Sequence, residues 1–218
     1  MNELSSGQLR KALVNVCDTV IESEPMLTDI DNVIGDGDHG IGMAIGFTAL
    51  KNMLLSHEFD MPSELVKASG MELIKAMGGA SGVIFGSLFI GGYETIAGKD
   101  TIKAKDLYEF FSASKESISR RGKAQKGDKT MLDALSSAVD AMQQSVEKGE
   151  NVLQCLSRAA SGATAGAEAT KEMLPRFGRS KNFREAALGY PDPGAVSTSL
   201  IFTSLYQEIK QISLQEEN

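Results

Sequence analysis

Four carboxylates crowd into ten residues in Asp29-Ile30-Asp31-Asn32-Val33-Ile34-Gly35-Asp36-Gly37-Asp38, and Asp31, Asp36 and Asp38 give the spacing D-x4-D-x-D. Like charges this close repel, so their concentration is unfavourable without a counter-cation. Oxygen ligands without sulfur favour a hard ion, magnesium or manganese, over zinc or copper. Gly35 and Gly37 let the backbone bend tightly enough for alternate aspartates to converge. An EF-hand does not fit: counting from Asp36, position five is Gly40 and position twelve is Phe47, where the calcium loop requires a bidentate Glu. The plainer use of such residues is to cap the helix starting near His39. Capping accounts for Asp38 but hardly for three acids and two glycines together. His39 itself is either structural or placed to orient a ligand carboxylate or touch a phosphate.

Three further loops interrupt the chain in the same manner: Gly78-Gly79-Ala80-Ser81-Gly82, Gly127-Asp128-Lys129-Thr130 and Gly189-Tyr190-Pro191-Asp192-Pro193-Gly194. Each precedes a helix, and helix N-termini present unpaired N–H groups and partial positive charge, which suits phosphate. In the first, Ser81 can donate a hydroxyl. The stretch Gly122 to Thr130 resembles a P-loop but misses by one residue, because Asp128 intervenes before Lys129, and no strand precedes it. Asp128 is expected to cap the next helix, leaving Lys129 to meet a phosphate or partner. Asp133, one turn on, is in reach of the same site but is expected to complement the helix dipole instead. Asp192, between two prolines, is held rigidly or merely sits in a tight turn.

The elements that must position these loops read as helices. Apolar residues recur at helical spacing over Leu9 to Ile21, Ile41 to Leu55, Ser63 to Met77, Val83 to Ala97, Ala104 to Arg121, Thr130 to Glu147, Val152 to Met173 and Ala195 to Ile212. Period-two alternation is absent from the sequence, so the fold class is all-α with eight helices. Residues 176–194 lack helical patterning and read as an ordered functional loop. No domain boundary stands out, and 1–218 reads as one unit.

Hydrophobic residues make up 42% of the 218 and charged residues 23%, enough for a buried core. The net charge of −7, from 22 basic and 29 acidic residues, argues against nucleic acid. Phosphate ligands remain compatible because a metal can neutralise them locally. Apolar runs fall short of a membrane span, and the N-terminus lacks a secretory pattern, so the cytoplasm is expected. Cys17 and Cys155 sit in apolar stretches and read as buried thiols.

Taken together, the loops resemble the dihydroxyacetone kinase L-subunit (DhaL) family. The carrying strings are IGDGDHG at Ile34–Gly40, GGASG at Gly78–Gly82, GDKTMLDAL at Gly127–Leu135, GR at Gly178–Arg179 and DPGA at Asp192–Ala195, in family order over nearly the whole chain. The resemblance implies an antiparallel eight-helix barrel with ADP or ATP at one rim. It implies that Asp31, Asp36 and Asp38 bind two magnesium ions, with His39, Gly40, Ala80 and Ser81 at the phosphates. Gly122 and Met131 would line the rest of the nucleotide, Arg179 would approach from the long loop, and Asp192, Pro193 and Gly194 would close the site.

By the same resemblance, a separate K-subunit holds a short ketose, and a phosphocarrier M-subunit of the phosphoenolpyruvate system rephosphorylates bound ADP. The alternatives are an ATP-exchanging kinase subunit, a fatty-acid kinase-like role, and a nucleotide-dependent module controlling a transcriptional regulator. Assembly as a homodimer or a heteromeric complex is expected, without nucleic acid or membrane. The chain departs from many relatives at Gly42, where they have Asn, at Gly189-Tyr190-Pro191 and over Ser180 to Ala187. These departures bear on the ketose and the docking partner, not on the metal ligands.

Overall fold

The computed structural model describes residues 1–216; the last two positions of the unit read over 1–218 lie outside the described residues. The described residues form α1 (Ser6–Glu22), α2 (Glu24–Ile34), α3 (His39–Ser56), α4 (Pro62–Met77), α5 (Gly79–Ile90), α6 (Ala104–Gly122), α7 (Met131–Glu147), α8 (Val152–Ala169) and α9 (Pro193–Glu216). A two-residue antiparallel pair, β1 (Leu4–Ser5) with β2 (Thr101–Ile102), ties the N-terminus to the start of α6. Several ends are written in the local sequence. Ser5, Thr130 and Asn151 close reciprocal capping boxes with Gln8, Asp133 and Gln154. Pro25, Pro62 and Pro193 occupy first turns, where a missing N–H costs nothing.

The expected all-α class holds. Helix α1 packs on α3, α3 on α4, and each helix on the next through α9, which returns to α1. Eight helices thus close a ring. The count differs from the expected eight because α2 is an additional helix, packed on α3 and α9. Only Ser23 separates it from α1, and Pro25 with the aspartate cluster disguised it as loop. Its buried residues Leu27, Asp31 and Ile34 nonetheless keep helical spacing. Two expected helices are also shorter: Val83 to Ala97 becomes α5 plus a 3-10 turn at Tyr93–Ile96, and Val152 to Met173 becomes α8 plus a turn at Thr170–Glu172.

One apolar cluster fills the ring from Leu4 to Ile212. Within it the Phe111 ring lies 4.9 Å from Phe110 edge-on and 4.7 Å from Phe202. Cys17 and Cys155 are buried free thiols, as expected; burial pushes both upward, Cys155 to about 11. No helix among the described residues is long and apolar enough to cross a membrane.

Glycines let α4 and α5 approach closely. A Cβ on Gly86 would lie 2.4 Å from Ile74 Cγ1 and 2.7 Å from the Gly70 carbonyl oxygen. Gly86→Ala is therefore expected to destabilise the protein by about 1–3 kcal/mol despite its better helix propensity. Urea unfolding of the two proteins checks this.

Candidate functional site

Alternation around the ring places the first turns of α3, α5, α7 and α9, and the last turns of α4 and α6, at one rim. There they surround a cleft of about 890 Å³. Asp31 reaches it from the last turn of α2 and is 5% exposed, while Asp36 and Asp38 come from the exposed connection to α3. One carboxylate oxygen of each lies within 4.8 Å of the other two. The glycines make this possible. A Cβ on Gly35 would stand 1.9 Å from Asp31 Oδ1, and Gly37 takes φ +76° with its Cα against Asn32 Oδ1.

The cluster does more than cap a helix. Asp31 Oδ2 accepts the His39 N–H at 3.2 Å, whereas among the described residues Asp38 makes no side-chain cap bond. Partial desolvation, then the neighbouring charges of Asp36 and Asp31, raise the Asp38 pKa against the opposing charge of Arg179. A set of three converging carboxylates, strained by its own charge and made only of oxygen donors, fits a hard divalent cation. Arg179 Nε meets Asp36 Oδ2 at 2.8 Å, bringing the long connection between α8 and α9 over the same cluster.

The rest of the cleft suits a phosphorylated aromatic ligand. Exposed N–H groups of Gly79, Ala80 and Ser81 open α5 opposite the aspartates, and Arg121 and Arg179 add cationic charge. Ile84, Ile118, Met131, Leu132 and Phe177 supply apolar walls. Gly122 belongs to one wall, where a Cβ would approach Ile84 Cδ1 to 3.3 Å. At Gly42 a Cβ would meet nothing within 4 Å, so the departure from Asn leaves open space on the cleft side of α3.

Asp31, Asp36, Asp38, His39, Ala80, Ser81, Gly122, Met131, Arg179, Asp192, Pro193 and Gly194 all line this cleft. Gly40 is not among its lining residues. Its Cα faces α2, where a Cβ would meet Thr28 Oγ1 at 2.3 Å and the Glu24 carbonyl oxygen at 2.4 Å, so it lets α3 start close to the Asp31 helix. His39 meets the Asp31 carboxylate through its backbone N–H, not its ring. The ring hydrogen-bonds Ser197 Oγ at 2.7 Å, lies 5.9 Å from Phe85, and has its pKa lowered by burial against the charge of Asp31. Ser197 carried no signal in the sequence.

Two expectations in the loop before α7 are corrected. Thr130, not Asp128, caps α7; Asp128 Oδ2 instead accepts the Gln125 N–H at 2.8 Å and pairs with Arg176 at 3.5 Å. Lys129 is 1% exposed, and its ammonium is committed to backbone carbonyls instead of awaiting a ligand. Asp133 behaves as expected, accepting N–H groups of Gly127 at 2.5 Å and Thr130 at 2.7 Å at the start of α7.

Asp192 caps α9 by accepting the Ala195 N–H at 2.8 Å. Burial nevertheless pushes its pKa from 3.8 up to about 7, against that hydrogen bond. Between those values the folded state holds a proton that the unfolded chain has lost, so stability falls as pH rises through this window. Asp192→Asn keeps an oxygen acceptor and removes the titration. Denaturant unfolding of the metal-free protein at pH 4.5 and 7.5 is expected to show a smaller decline for the variant than for the parent.

Residues 33–207 match the family model described as DAK2 domain. The chain is 33% identical over 208 residues to the PEP-dependent dihydroxyacetone kinase ADP-binding subunit DhaL of Escherichia coli, covering 95% of this chain and 99% of that one. It is 34% identical over 188 residues to the PTS-dependent dihydroxyacetone kinase ADP-binding subunit DhaL of Lactococcus lactis, covering 86% and 90%. Among solved structures it resembles the native dihydroxyacetone kinase of C. freundii, with TM-score 0.72 and 25% identity over 95% of this chain. It spans 36% of that longer kinase. With the fold, the five loop strings and these matches in agreement, the chain belongs to the DAK2 domain family and, within it, to the dihydroxyacetone kinase L-subunits.

Proposed function

We propose that this chain, as one unit over 1–218, is the nucleotide-carrying subunit of a dihydroxyacetone-type kinase, a phosphotransferase whose ketose sits on a separate subunit. The observation that carries this is the convergence of the three-aspartate cluster, the first turn of α5 and Arg179 on one cleft. Asp31, Asp36 and Asp38 hold magnesium, as two ions, which would draw charge from the nucleotide phosphates. The N–H groups and hydroxyl at Ala80 and Ser81 orient those phosphates, and Arg179 faces the oxygen atoms where negative charge develops. Gly122 and Met131 border the base between apolar walls that exclude water. Asp192, Pro193 and Gly194 fix the rim where α9 begins, and His39 and Gly40 set the start of α3. Phosphoryl transfer needs positioned charge more than a protein nucleophile, and these residues supply that.

Two modes share this site. In the first, ADP stays bound and a phosphocarrier of the phosphoenolpyruvate system rephosphorylates it in place. The names of the Escherichia coli and Lactococcus lactis relatives, PEP-dependent and PTS-dependent, favour that mode. In the second, ATP exchanges freely. The test is to combine this chain with a ketose-binding K-subunit, dihydroxyacetone and either ATP or the phosphocarrier relay, and to follow ketose phosphate. Product with the relay is expected; product with neither source would overturn the assignment.

A further inference from the structure

Lys129 is a buried cation that the proposed chemistry does not use. It lies in the connection before α7 with φ +57°, a left-handed conformation that costs a lysine energy and therefore calls for compensation. Its Nζ donates to the carbonyl oxygens of Thr170 at 2.7 Å, Ala187 at 2.9 Å and Tyr190 at 2.7 Å. An ammonium has three donors, and all three are used. Those carbonyls sit at the two ends of the connection between α8 and α9. The same base is closed by the Gly189 N–H on the Lys171 carbonyl at 2.8 Å and the Asp192 N–H on Thr170 Oγ1 at 2.9 Å. The tip of this connection carries Arg179 to Asp36, and its end runs directly into Asp192.

We propose that Lys129 is a positioning residue whose ammonium clasps both ends of the 170–190 segment and thereby sets where Arg179 and Asp192 stand at the cleft. Burying an ammonium is costly unless its hydrogen bonds are made, so the clasp is strongly coupled to loop geometry. Burial lowers the Lys129 pKa while the charges of Asp192 and Asp133 oppose that shift. A lysine serving only general stability would have no preferential effect on this segment.

Lys129→Met keeps the apolar stem and removes the three donors; Lys129→Gln retains two and serves if the first variant does not fold. Hydrogen exchange on the chain without ligand reads the clasp directly. Amides of 171–190 are expected to exchange at least about ten-fold faster, the equivalent of one lost charged hydrogen bond, while α3 to α5 stay unchanged. ADP release in magnesium is expected to accelerate roughly ten-fold as well. This second arm rests on the nucleotide assignment; the first does not. Leu135→Ala, a buried change on α7, provides the comparison and is expected to lower overall stability without selective exchange at 171–190. Unchanged exchange at 171–190 in a folded variant would overturn the proposal, and so would acceleration spread evenly over all helices. Failure of parent and variants alike to bind ADP would count against the nucleotide assignment, leaving the exchange result to decide the clasp.

Discussion

Asp36→Asn and Asp38→Asn are each expected to weaken magnesium-dependent ADP binding by about 10²-fold or more, since even groups behind a metal ligand are worth 10–100-fold. Folding should be almost untouched. Both side chains are exposed, so changes in stability should stay within about 0.5 kcal/mol in the absence of metal. Loss of a like charge also relieves the repulsion that raises the Asp38 pKa. Lost binding with preserved stability separates a metal site from a helix cap, whose removal costs about 1 kcal/mol and would leave ADP binding largely intact. Calorimetric titration with ADP and magnesium, beside thermal melting in chelator, reads both quantities.

Gly35→Ala is expected to match that loss of binding while leaving every carboxylate in the sequence. The added methyl carbon would lie 1.9 Å from Asp31 Oδ1 and 2.9 Å from the Asp31 carbonyl oxygen. A carboxylate can rotate away, but the carbonyl belongs to the last turn of α2 and cannot. Asp31 therefore leaves the cluster, and the His39 N–H that it accepts loses its partner. Binding should fall by about 10²-fold, as for a ligand change, with a further stability loss of about 1 kcal/mol for the broken cap. Gly42→Ala is the matched control, because its Cβ meets nothing within 4 Å. It is expected to keep the aspartate cluster and to stabilise α3 by up to about 1 kcal/mol through helix propensity.

The sequence carried the ring helices because each buries a stripe at helical spacing, from Leu9, Leu13 and Val16 in α1 to Ile201, Leu205, Ile209 and Ile212 in α9. It concealed α2, where Pro25 and four polar or acidic positions outweigh the buried Leu27, Asp31 and Ile34. Each loop was legible singly for a physical reason, since Asp, Gly and Ser at helix starts suit phosphate and metal binding, whereas their convergence on one rim was implied only by the family resemblance. Roles set by distant partners were not. Lys129 reads locally as an available cation beside Thr130, yet its three acceptors are contributed 41, 58 and 61 residues later. Gly40 belongs to the IGDGDHG string, but only the packing of α3 against Thr28 and Glu24 fixes what it does. His39 likewise acts on Asp31 through a backbone atom, which no side-chain identity could reveal.

The most direct measurement is calorimetric titration of ADP into the chelator-stripped chain, with and without magnesium. If the aspartate cluster carries the nucleotide through its cations, magnesium should tighten ADP binding by about 100-fold, near the upper range of coupling between two ligands. Asp31→Asn should abolish that gain. Equal ADP binding in magnesium and in chelator, or no ADP binding in either, would contradict it.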